Sequence, residues 1–203
     1  AIRWFDSKKS EIEWAHWKAY KEMLLSKARA IDVIDSHEDI IDNILDYSGD
    51  PTLPGPWARK GLVMGNVQSG KTENYIGLIN KAIDAGYKVI ILLGGHLVDL
   101  RKQTQERVDE GVLGRESRHL IEALIAPPGP IGVGLSGVNV DTGTTTLGDF
   151  SKKSASILGQ DLNKTDPFIF TIKKHSGTMK RLYAWIKDYH FLSPENGKKM
   201  DVP

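Results

Sequence analysis

Gly61-Leu62-Val63-Met64-Gly65-Asn66-Val67-Gln68-Ser69-Gly70-Lys71-Thr72 is the stretch that decides the reading of this chain. A short apolar run leads into the pattern G-x-x-x-x-G-K-[ST], and behind it Ile76, Ile79 and Ile83 recur at helical spacing. The pattern predicts a buried strand at 61–64, a tight loop, and a helix from Lys71 to Ala85. In that arrangement backbone N–H groups wrap phosphate oxygens at the helix N-terminus. Gly65 and Gly70 permit the turn and the close approach, Asn66, Val67, Gln68 and Ser69 supply loop amides, Lys71 reaches the terminal phosphates, and Thr72 offers a hydroxyl to Mg²⁺. These eight residues are the candidate nucleotide site, with ATP and Mg²⁺ as the expected ligands.

Downstream, Tyr87 to Leu93 reads as a second, strongly apolar strand. Strand, helix and strand make a βαβ unit, hence an α/β protein with a parallel sheet. Leu97 to Glu110 reads as a polar helix, and Leu120, Ile121, Leu124 and Ile125 as another that stops at Pro127-Pro128. Residues 129–158 are rich in Gly, Ser and Thr and read as a long excursion or mobile loop instead of sheet interior. Phe168 to Ile172 should be a third parallel strand, with a helix over 178–189 after it.

Upstream, Ser10 with Glu13 and Ser36 with Asp39 precede apolar residues at helical spacing, predicting helices over 10–28 and from Ser36 to about Gly49. Trp14 and Trp17 are expected to pack between them. Pro51-Thr52-Leu53-Pro54-Gly55-Pro56 cannot continue a helix. The expected organisation is therefore an N-terminal helical subdomain at 1–50, a linker at 51–59, a P-loop lobe at 60–190 interrupted by the insertion at about 127–160, and a tail at 191–203.

With 203 residues, 40% hydrophobic, the chain can bury a sizeable core, which excludes disordered and fibrous classes. The absence of cysteine excludes disulfide frameworks and thiolate zinc sites. No apolar run approaches the roughly 20 residues that span a bilayer, so no membrane association is expected, and the expected location is the cytoplasm. The net charge of +1 is unevenly spread: residues 1–59 carry 8 Lys/Arg against 11 Asp/Glu, residues 150–200 carry 10 against 4. A basic C-terminal quarter suits either a solvated surface or a nucleic-acid face.

Hydrolysis would also need an acid at the end of a later apolar strand to organise the Mg²⁺ shell. The strands at 87–93 and 168–172 run instead into Gly94-Gly95-His96 and Lys173-Lys174-His175, and Asp161 and Asp166 precede the third strand. The catalytic acid is therefore unassigned. His96 and His175 follow strands at the edge where open α/β sheets bind ligands, which makes both candidates for phosphate or nucleic-acid contact. Trp57 is a candidate either for stacking on the base or for anchoring the N-terminal helices. Six scattered histidines give no metal cage beyond a nucleotide-bound Mg²⁺.

The stretch from Lys60 to Gly111, above all Gln68-Ser69-Gly70-Lys71-Thr72 and Leu100-Arg101-Lys102-Gln103-Thr104-Gln105-Glu106-Arg107, resembles the Z-one domain (letter Z, numeral one), a bacterial family with an endonuclease label. The close likeness covers about a quarter of the chain. Members are similar to superfamily-two helicases associated with restriction and phage defence. The resemblance implies RecA-like lobes acting on DNA, with Lys71 and Thr72 in motif I, Gly94 to Gln103 in motif Ia, and Thr171 to His175 in motif Ib. Arg101, Lys173, Lys174 and His175 are then the candidates for the DNA backbone. It also implies an acidic strand and a second RecA-like lobe after these motifs, so the chain reads as a truncated fragment whose partners include that lobe, DNA and defence-system proteins. Independent hydrolysis is not expected of it, and no acidic cluster supports a nuclease. Two other readings use the same loop: a nucleotide-gated interaction module, and a small-molecule kinase, which the missing acid disfavours.

Overall fold

The computed structural model describes residues 3–53, 58–65, 70–117, 128–138, 140–157, 162 and 166–192. The expected helix near 120–125, Trp57, the loop residues Asn66 to Ser69 and the tail beyond 192 lie outside them. In chain order the elements are α1 (Phe5–Lys8), a 3₁₀ turn (Lys9–Glu11), α2 (Ala15–Ser26), α3 (Ile31–Tyr47), α4 (Lys71–Asp84), β1 (Val89–Leu93) and α5 (Val98–Val108). A π-helical turn (Asp109–Leu113), a 3₁₀ turn (Gly132–Ser136), β2 (Asp141–Thr142), α6 (Lys152–Ile157), β3 (Phe168–Ile172) and α7 (Ser176–Leu192) follow.

Three strands form a parallel sheet in the order β1-β3-β2. β3 is central and buried along its whole length, as its unbroken Phe-Ile-Phe-Thr-Ile run requires of a strand covered on both faces. Its alternation sorts two layers. Ile169, with Ile90 and Leu92 of β1, joins the core under α2 and α4, whereas Phe168, Phe170 and Ile172 pack against Phe150 and against Leu182, Trp185 and Ile186 of α7. The Phe170 ring meets Phe150 at 5.7 Å and Trp185 at 5.9 Å between centroids, both edge-on.

The N-terminal helices pack directly on α4. Trp17, Tyr20, Leu24, Ile34 and Ile41 share one core with Ile76, Ile79 and Ile83 of α4. Gly77 makes the approach possible, because a Cβ there would sit 2.6 Å from Ile41 Cδ1 and 3.0 Å from the Trp17 ring. Lys81, fully buried on α4, donates to Glu38 Oε1 at 2.8 Å and to Asp42 of α3, with the rings of Trp14 and Trp17 at 5.1 and 4.9 Å from its ammonium. Asp84 ties the other end by accepting from the backbone N–H groups of His16 and Trp17.

Glu38 gives this seam a pH dependence. Burial alone would raise its carboxyl, but hydrogen bonds and charge from Lys81 and Lys21 outweigh that, and the net shift is below the ordinary 4.5. A depressed folded value means the stabilisation is complete above the unfolded value and is lost as pH falls through the folded one. The melting temperature should therefore drop below about pH 4.5 in part through Glu38, and Glu38→Gln should flatten that part of the profile. Parallel acid profiles for the variant and the parent would contradict it.

Two expectations need correction. Residues 61–64 form no strand, and Leu62, Val63 and Met64 are 83%, 57% and 85% exposed. Apolar composition alone does not make a strand, because the ladder needs a neighbour, and among the described residues none pairs with this segment. The Gly/Ser/Thr-rich excursion, conversely, contributes both an edge strand, β2, and helix α6. It is fastened by a buried polar network. Arg101 of α5 donates to the carbonyls of Thr145 and Thr146 at 2.7 and 2.9 Å, and Thr144 Oγ1 donates to Gln105 Oε1 at 2.8 Å while accepting from Thr171 N of β3 at 2.8 Å.

Candidate nucleotide-binding site

Helix α4 begins where the motif predicts. Gly70 is its N-cap in the left-handed region, at φ 72° and ψ 22°, a conformation that disfavours a side chain. A Cβ there would also lie 2.6 Å from His37 Cε1, so that ring would have to shift to make room. The Lys71 ammonium donates to the Gly65 carbonyl, so the two ends of the loop are joined across it. Lys71 is exposed and Thr72 half-buried.

Cations surround this helix start. Arg107 of α5 donates from Nη1 to Thr72 Oγ1 at 3.1 Å. Arg29 pairs with Glu73 in the first turn of α4 at 2.8 Å, and His37 Nδ1 lies 3.6 Å from the same carboxylate. An exposed ammonium, an exposed guanidinium and the positive end of a 14-residue helix are suited to an anion. They fit the phosphates of a nucleotide, with the Thr72 hydroxyl as a hard oxygen ligand for Mg²⁺. No group of three or more His, Cys, Asp or Glu that could hold a metal occurs among the described residues. The cleft of about 210 Å³ lined by Lys102, Glu106, Asp109, Glu116, Ile131 and Thr146 has the wrong sign for phosphate, with three acids against one lysine.

The loops after β1 and β3 do meet at one edge of the sheet. Lys174 N donates to the Gly95 carbonyl at 2.7 Å, Gly94 N to the Ile172 carbonyl at 2.9 Å, and His96 Nδ1 lies 3.0 Å from the Lys174 carbonyl, which requires the proton on that nitrogen. His96 therefore has a structural contact pinning the two loops. Lys174 and His175 are exposed and Lys173 is half-buried, its backbone N–H donating to Asp149 at 3.2 Å. Arg101 is not with them. It is 2% exposed, and both terminal guanidinium nitrogens, Nη1 and Nη2, are committed to the insertion. Burial also lowers its pKa, partly offset by Asp149 and Asp109. Its side chain holds the fold together and is not available to a DNA backbone.

Arg107, Arg29 and His37 are the site residues that sequence reasoning missed, since three separate elements bring them to α4. Asn163-Lys164-Thr165-Asp166 has the Asn-Lys-x-Asp pattern by which some P-loop proteins read guanine. Residues 163–165 lie outside the described set, and Asp166 sits just before β3, at the sheet edge opposite the loops 94–96 and 173–175. A base-reading residue belongs at the carboxyl ends of the strands, so Asp166 is not placed to read a base.

The class defined by this geometry is a mixed α/β chain with a small three-stranded parallel sheet. No family model, no curated protein and no solved structure matches the chain. No helix among the described residues is long and apolar enough to cross a membrane.

Proposed function

We propose that the chain is the ATP-binding lobe of a helicase-like, DNA-directed P-loop NTPase, of the kind found in the Z-one family and in restriction or phage defence. One observation carries the reading: Gly70, in the left-handed conformation, opens α4 with Lys71 and Thr72, and Lys71 closes the loop back onto Gly65. Lys71 and the loop amides would hold the phosphates, the Thr72 hydroxyl would be a ligand for Mg²⁺, and the basic edge at Lys173, Lys174 and His175 would contact DNA phosphates. When bound, the magnesium nucleotide supplies the scissile phosphoanhydride. The acid that activates water is none of the residues assigned to this site.

A second reading, a nucleotide-gated protein-interaction module that moves no strand, draws support from two features. Arg101 is withdrawn from the DNA-facing set, and Ile91 and Leu93 of edge strand β1 and Leu97, Val98 and Leu100 after it are 42–64% exposed. Replacing Lys173 and Lys174 together by Ala discriminates between the two. On the DNA reading, duplex affinity falls for all sequences and the salt slope shrinks by about 0.7 to 0.9 for each phosphate no longer neutralised, with nucleotide affinity unchanged. Unaltered DNA affinity and slope would leave the interaction module as the better account.

A further inference from the structure

Arg107 is a candidate the motif does not name. It projects from α5, whose other face carries Arg101, Gln105 and Val108 into the core, so the backbone beneath Arg107 is held while its guanidinium stays exposed. The neighbouring cation Arg29 is already neutralised by Glu73, and Lys102 lies 3.9 Å from Glu106 on its own helix. Arg107, in contrast, has Thr72 Oγ1 as its hydrogen-bonded partner among the described residues, at 3.1 Å.

That partner is informative. An oxygen that ligates Mg²⁺ sits about 2.1 Å from it in octahedral geometry, which puts neighbouring ligands about 3 Å apart. A guanidinium and a divalent ion on one hydroxyl repel each other, whereas a phosphate oxygen on the same ion is an acceptor one hydrogen-bond length from that hydroxyl. The planar fork of arginine matches phosphate geometry, and a long side chain swings that far without moving its helix.

Resting on the nucleotide reading above, we propose that Arg107 is a further phosphate-binding residue of this site, supplied by the chain itself from α5. Its guanidinium turns from the Thr72 hydroxyl onto a phosphate oxygen of a magnesium nucleoside triphosphate. Because α5 also holds the insertion through Arg101 and Gln105, this contact joins the nucleotide to the 140s segment.

Calorimetric titration of magnesium ATP into the parent, Arg107→Ala, Arg107→Lys and Lys71→Ala tests this at a single ionic strength. Arg107→Ala should weaken binding about tenfold or more, as removal of a charge-assisted hydrogen bond does. Arg107→Lys should fall between it and the parent, keeping the charge without the fork. Melting temperatures should stay together, since the side chain is exposed. If the parent binds and Lys71→Ala does not, yet Arg107→Ala matches the parent within twofold, the Arg107 assignment is overturned and the site survives. A parent that binds no nucleotide overturns both.

Discussion

Lys81→Ala should cost the protein on the order of 3 kcal/mol of stability, at the lower end of the range for breaking a buried ion pair. The lysine is fully buried, but its partners Glu38 and Asp42 retain 23% and 13% side-chain exposure and keep Lys21 and Lys9 as second ion-pair partners, which softens the penalty of losing it. Removing the stem also opens a void between Trp14 and Trp17, both within 5.1 Å of the ammonium. For a chain of this size the melting temperature should fall by roughly 6–12 °C. Lys81→Met fills the void while still removing the buried ammonium from Glu38 and Asp42, so its destabilisation should be smaller and should grow as pH rises through about 4.5. Urea unfolding measures both. A destabilisation under about 1 kcal/mol for Lys81→Ala, within the usual range for surface changes, would show that the helical layer does not depend on this residue.

Lys71→Ala should have the opposite profile. Its ammonium is exposed and donates to the Gly65 carbonyl, so stability should hardly change. Affinity for magnesium ATP should fall by about a hundredfold or more, because the residue gives a full charge to the phosphates in a spot the loop fixes. Equal affinity in variant and parent would remove Lys71 from the site and leave α4 an ordinary helix start.

The helices are legible in the sequence because their apolar periodicity is local, but the starts of the N-terminal pair are not: α2 begins at Ala15 and α3 at Ile31, so neither Ser10 nor Ser36 caps a helix as expected. α4 starts and ends within a residue of expectation, and α5 matches its predicted span over nearly its full length before its π-helical continuation. β1 and β3 are legible as unbroken apolar runs. Residues 61–64 look the same in composition and yet lie exposed, because a strand is completed by its neighbour and no local pattern encodes that neighbour. β2 leaves a faint signal. Thr142, Thr144 and Thr146 are all buried at a spacing of two, a strand period hidden by the surrounding Gly and Ser.

At the site, the glycine and lysine positions can be read from the chain because backbone geometry dictates them. Arg101 reads as surface-facing from its motif alone, although Arg101, Gln105 and Val108 share one helical face at spacings of four and three, which marks an inward stripe. The same block explains its own density of polar residues: one face fastens the insertion and the other presents Arg107 to Thr72. Nothing in the sequence indicates that last contact, since it depends on how α4 and α5 pack.

Heteronuclear NMR titration of the isotope-labelled chain with magnesium ATP tests the central claim most directly. Saturable shifts should centre on the amides of Gly65, Gly70, Lys71 and Thr72, with the Arg107 side chain following and the acidic cleft at Glu106 and Asp109 unaffected. No saturable shift at millimolar nucleotide, or shifts centred on that cleft with the α4 start silent, would contradict it.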